Sequence, residues 1–130
     1  MHPFRQAVEN ADLEAVPGLL AEDVTFYSPV VFRPYRGRAL VAEILRGAYR
    51  VFSDFRYVGE FGEPGGRDHA LVFRARVGDR EIHGCDFVHH DDEGLIDEFT
   101  VMVRPLSAAQ ALAREMGKEF ERIGRETGLV

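Results

Sequence analysis

The sequence predicts an α+β domain: a late antiparallel meander flanked by helices. Three observations carry this. Strand-like runs cluster late, at 54–61, 68–77, 80–90 and 95–104. Tight turns, not long crossovers, join the last three runs, which makes them antiparallel neighbours. Helix-period stretches lie ahead of these runs and after them.

In chain order, residues 3–16 place Phe4, Ala7, Val8, Ala11 and Leu13 on one helical face. A second helical piece, DLEAVPGLL, follows from Asp12, with Pro17 about one turn in, where its missing N–H costs little. Residues 23–28 read as a short strand with Val24, Phe26 and Ser28 sharing a face. Pro29 ends it, and 30–37 reads as a loop. Gly37 then precedes a helix whose stripe is Leu40, Val41, Ile44, Leu45, Ala48 and Phe52. In 54–61, Phe55 and Tyr57 alternate with Arg56 and Val58. The last helix spans 107–125, with Ser107 as N-cap, Gly124 or Gly128 as its end, and Ala108, Leu112, Met116 and Phe120 at four-residue spacing.

The turns set a register. Gly78-Asp79 as a two-residue hairpin loop pairs Val77 with Arg80. Ala75 then faces Ile82, Phe73 faces Gly84, Leu71 faces Asp86 and His69 faces Val88. A four-residue turn over 91–94 pairs His90 with Leu95 and so sets Asp86 opposite Phe99. One face becomes almost wholly apolar: Leu71, Phe73, Ala75, Ile82, Val88, Phe99, Val101 and Val103. Only Asp86 and, one diagonal away, His69 interrupt it. A carboxylate on such a face needs a partner or a raised pKa, as functional acids often have. The other face carries Arg74, Arg76, His83, Cys85, Phe87, His89, Glu98, Thr100 and Met102. Phe87, Met102, Thr100, Cys85 and His83 predict a homodimer through that outer face.

Composition narrows the function. The 130 residues make one domain, 1–130, with 45% hydrophobic and 29% charged residues and a net charge of −6. An acidic chain has no electrostatic footprint for nucleic acid or anionic membrane. Cys85 is the only cysteine, so no internal disulfide and no thiolate cluster is expected. No run approaches the roughly 18 apolar residues of a membrane span, and MHPFRQAVENADLEAV has no apolar leader; the expectation is a cytoplasmic protein. His83, His89, His90, Asp91 and Asp92 are near in sequence, but strand alternation sends His89 and His90 to opposite faces. No metal and no cofactor are expected.

The order of elements and the phrases ADLEAVPGLLAEDVTFYSP, Gly37-Arg38 and GCDFVHHDDEGLIDEFTVMVRPL resemble the nuclear transport factor 2-like superfamily, in particular its SnoaL-like (polyketide cyclase-like) branch. The resemblance covers residues 4 to about 106. It implies a cone: a curved antiparallel sheet wrapped around N-terminal helices, with a pocket at one end and a C-terminal helix beyond the usual core. Asp86 matches the position of a protonated aspartic acid in ketosteroid isomerases. Ser28 stands where those enzymes resemble an aspartate base, Phe4 where they have an oxyanion tyrosine, and Leu45 where a supporting tyrosine lies. Gly84 stands where epoxide hydrolases carry an arginine. These replacements argue against both the steroid isomerase and the Asp-Arg-Asp mechanisms.

The residues leave two functions open. In one, Asp86 and His69 form a catalytic acid–base pair acting on a small apolar or polycyclic carbonyl compound, helped by Ser28 or Tyr57. Phe26, Leu71, Phe73, Val88, Phe99 and Val101 would line the site. In the other, the same pocket binds an apolar ligand without bond-making.

Overall fold

The computed structural model describes residues 1–130. Helix α1 spans Pro3–Glu9, and His2 caps it: its Nδ1 accepts from the Phe4 N–H at 3.0 Å. The helix stops well short of residue 16 because Ala11 adopts φ 54, the left-handed region. DLEAVPGLL forms two 3-10 turns, Leu13–Ala15 and Pro17–Leu19, instead of an α-helical piece. Strand β1 covers Leu20–Tyr27, starting three residues earlier than the pattern suggests, and the two-residue β2 (Tyr35–Arg36) falls within the expected loop.

Helix α2, Arg38–Val51, follows Gly37, whose φ of 101 suits glycine alone. Its stripe buries Val41, Ile44 and Leu45. Then come β3 (Ser53–Phe61), β4 (Asp68–Val77), β5 (Arg80–His90) and β6 (Ile96–Arg104). Helix α3, Leu106–Thr127, closes the chain. Pro105, not Ser107, occupies its N-cap, and no side chain caps it. Gly128, at φ 71, ends it, with its N–H bonded to the Gly124 carbonyl at 3.1 Å.

The six strands form one curved sheet ordered β2-β1-β6-β5-β4-β3. Its neighbours are antiparallel except β1 and β6, which run parallel with Phe26 beside Phe99. The β4–β5 register is the expected one throughout, with Leu71 opposite Asp86. The β5–β6 register is corrected: Asp86 pairs with Val101, and Phe99 pairs with Val88. His90 pairs with Ile96, making the turn one residue longer than expected, and a bulge between His89 and His90 adds another. Two single shifts sum to an even number, so the β6 side chains from Glu98 to Arg104 keep their predicted face, whereas Ile96, before the bulge, turns into the core.

A cluster of 22 buried residues fills the space between the sheet and the helices. Phe4 meets Phe99 edge-on at 5.0 Å, tying α1 to the sheet. No helix is long and apolar enough to cross a membrane.

Candidate functional site

Period-two alternation aims Asp86, in the middle of β5, at the core side of the sheet, where it is 4% exposed. Alternation on β3 turns Tyr57 the same way. The Tyr57 hydroxyl donates to Asp86 Oδ2 at 2.8 Å. Tyr49, four residues past Leu45 on α2, brings its hydroxyl within 3.2 Å of Tyr57 Oη. Since Tyr57 spends its proton on Asp86, Tyr49 is the donor in that second bond. The result is a relay, Tyr49 to Tyr57 to Asp86.

Burial raises the Asp86 carboxyl from 3.8 to about 7, and the Tyr57 hydrogen bond only partly offsets it. Burial also pushes the Tyr49 and Tyr57 phenols well above 10, and the Asp86 charge adds to this. Both tyrosines therefore remain donors at neutral pH, while Asp86 is balanced between acid and carboxylate.

Asp86 opens onto a cavity lined by 16 residues, 13 of them hydrophobic. Phe26, Phe73 and Val101 come from the sheet, Ile44, Leu45, Ala48 and Tyr49 from α2, and Leu112, Met116 and Phe120 from α3. Phe55 and Phe73 stack at 4.9 Å along one wall. The free volume is about 50 Å³, measured as space open to the centre of a water molecule. One water needs roughly 10–15 Å³ on that measure, so this is room for a few atoms unless side chains move. Ser28 lines the same cavity. Its Oγ accepts from the Val30 and Val31 N–H groups at 3.1 and 3.3 Å, leaving the hydroxyl proton free to donate.

The structure sorts the sequence-derived residues. Phe26, Ser28, Phe73, Asp86 and Val101 line the cavity, and Tyr57 supports Asp86 from behind. Leu71, Val88 and Phe99 are 0–2% exposed in the solid core and do not line it. His69 is not brought to Asp86. Its Nε2 lies 2.9 Å from the Gly66 carbonyl, and its ring meets His2 and His90 edge-on at 5.1 and 5.5 Å. The glycine-rich turn beside the start of β4 supplies that carbonyl, so the ring turns toward the strand end instead of along the rungs. His69 thus lines a separate polar cleft with His2 and His90.

Tyr49 and the α3 wall escaped the sequence reading. The helical period was the available signal for Tyr49, one turn past Leu45. The α3 stripe was legible, but the surface it covers was not. His90 bonds His2 at 2.8 Å, whereas His89 bonds Asp97 at 2.7 Å. No three His, Cys, Asp or Glu side chains converge in a metal-binding group.

Solved structures share this fold. A steroid delta-isomerase of Pseudomonas aeruginosa is 41% identical, over 92% of this chain and 87% of that one, with a TM-score of 0.86. An uncharacterised protein of Silicibacter pomeroyi DSS-3 with a cystatin-like fold is 36% identical, over 96% and 90%, with a TM-score of 0.89. An NTF2-like protein of unknown function from Mesorhizobium loti, 18% identical over 78% and 85%, shares the fold at a TM-score of 0.68. No curated protein matches the chain. The model of the SnoaL-like domain matches residues 2–99. With three-quarters of its length inside that match and the helix-wrapped curved sheet around it, the chain belongs to the SnoaL-like domain family, on the nuclear transport factor 2-like fold.

Proposed function

We propose that the protein binds a small, mostly apolar carbonyl compound and moves a proton on it, with Asp86 as the acid–base group. One observation carries the reading: a carboxyl with its pKa near 7, one oxygen held by Tyr57, at the wall of an otherwise apolar cavity. The Asp86 carboxylate takes a proton from the carbon next to the carbonyl. The C–H electron pair moves into the enolate, whose oxygen the Ser28 hydroxyl stabilises by donation. The carboxylic acid then returns the proton to another carbon of the enolate, giving an isomer and regenerating the carboxylate. The 41%-identical steroid delta-isomerase supports this reaction class. The cavity favours small substrates over polycyclic ones.

The test is ultraviolet detection of a conjugated enone formed from β,γ-unsaturated ketones of increasing size. Wild type should turn over a small member, and Asp86→Asn should lose about a hundredfold or more. No turnover across the series, with an unaltered apolar molecule detected by mass spectrometry in purified protein, rejects catalysis. That result favours the second reading, a binding module, which has its own support in apolar Phe4 and Leu45.

A further inference from the structure

One row of cations crosses the sheet face turned away from the core. The strand registers set Arg56 of β3 opposite Arg74 of β4, Arg74 opposite His83 of β5, and His83 opposite Arg104 of β6. Four adjacent strands thus contribute one basic residue each, in line, over roughly 14 Å at about 4.8 Å per strand. The three arginines are exposed, and His83 is half-buried between its neighbours. Like charges directly opposite each other destabilise a sheet. The chain leaves these uncompensated although its net charge is −6. Asp54 and Glu81 lie 3.8 Å from Arg76, two residues beyond Arg74, whereas Arg56, Arg74 and Arg104 have no carboxylate within 4 Å.

The donors of the row are largely unspent. Arg56 gives one hydrogen bond, to the Asp54 carbonyl at 2.9 Å, and the Arg74 guanidinium gives none. Arg104 Nη1 lies 3.4 Å from His83 Nδ1. A guanidinium only donates, so Nδ1 is the acceptor there and the ring proton sits on Nε2, which has no partner within the chain. Burial, Arg74 and Arg104 lower the His83 pKa, so at pH 7 the ring is neutral and offers that single N–H.

We propose that this row binds a small phosphate monoester, its phosphate held over His83 between Arg74 and Arg104 and its carbon body resting on Val72, Cys85 and Met102. Those three residues form the next rung of the same face, and Met102 is 59% exposed. Two guanidinium forks and one imidazole N–H match the three terminal oxygens of a phosphate, one more than a carboxylate presents. The same face limits the ligand's length. Asp68 and Glu98 flank His89 six residues along β5, roughly 20 Å away, and would repel a long polyanion. The inference is independent of the chemistry proposed for Asp86, which is buried on the opposite face of the sheet.

The probes are phenyl phosphate, inorganic phosphate and phenol, titrated separately and followed by calorimetry and by proton NMR of the five histidine rings. His83→Gln identifies the His83 signal. Phenyl phosphate at millimolar concentration should move that signal and raise the His83 midpoint by about one pH unit or more, because a bound dianion favours the imidazolium. Inorganic phosphate should bind about fivefold more weakly for want of the apolar contact, and phenol should leave the His83 signal in place. Arg74→Gln and Arg104→Gln should each weaken phenyl phosphate by about tenfold or more. Met102→Ser should weaken phenyl phosphate and leave inorganic phosphate unchanged. Far-UV circular dichroism confirms that each variant is folded, and the wild-type titrations decide the matter if one is not. A His83 signal that ignores phenyl phosphate, or that responds equally to phenol, overturns the proposal. So does inorganic phosphate binding as tightly as phenyl phosphate, or an affinity unchanged in both folded arginine variants.

Discussion

The Tyr57 hydroxyl lies 2.8 Å from Asp86 Oδ2 and works against that acid's burial. Burial favours the protonated carboxyl; the donated hydrogen bond favours the carboxylate. The pKa near 7 is where these two opposed effects settle.

Tyr57→Phe removes the opposing effect. A hydrogen bond to a charged group contributes about 1.5–3 kcal/mol, and 1.36 kcal/mol corresponds to one pH unit. The Asp86 midpoint should therefore rise by about one to two pH units, followed by carbon-13 NMR of the carboxyl. A midpoint that stays put would mean that Tyr57 does not set it.

Asp86 makes stability depend on pH with a definite sign. Its pKa is raised on folding, so between 3.8 and about 7 the folded state binds more protons than the unfolded state. The Asp86 contribution is full below about pH 4 and falls as pH rises toward 7, by about 4 kcal/mol at most. Asp86→Asn keeps an acceptor for Tyr57 and removes this contribution without touching that of His2. The urea midpoint of the variant relative to wild type should therefore rise between pH 5 and pH 8, and a constant difference would mean that Asp86 does not titrate in this range.

His2 acts in the opposite direction. Burial, with help from His90 and His69, holds it down from 6.5 to about 4. Its neutral Nδ1 caps α1 and its Nε2 meets His90. Its contribution is present above pH 6.5 and is lost as pH falls toward 4, about 3 kcal/mol at the limit. His2→Asn retains a capping acceptor without titrating. Amide exchange in α1 should accelerate on acidification in wild type but not in this variant.

Gly84 is required by its neighbours. A Cβ there would lie 2.7 Å from Phe73 Cε2 and 3.0 Å from the Met102 carbonyl oxygen. Gly84→Ala must displace the ring that lines the cavity and should cost about 2 kcal/mol or more, read from denaturant unfolding. An unchanged midpoint would show that Phe73 is free to move.

Much of this was legible in the sequence because strands obey a period of two. One dependable turn, Gly78-Asp79, set the whole β4–β5 pairing and the inward aim of Asp86. The β6 partner was misplaced because neither the longer turn nor the bulge beside His89 leaves a compositional mark, although its facing survived. The Asp86–His69 pairing failed because register fixes where a Cα sits and not where a ring rotates; Gly66 and His2 decided that. The Tyr49 relay joins a helix to the sheet across the core, and periodicity within one element does not report on contacts between two.

The α3 wall has a consequence for how this protein can change. The family match stops at residue 99, yet Leu112, Met116 and Phe120 bound the cavity from the far side. Asp86 and one wall of the space beside it are thus encoded in separate stretches of chain. The volume of that space can be changed within residues 106–127 while the tyrosine relay and its acid stay untouched.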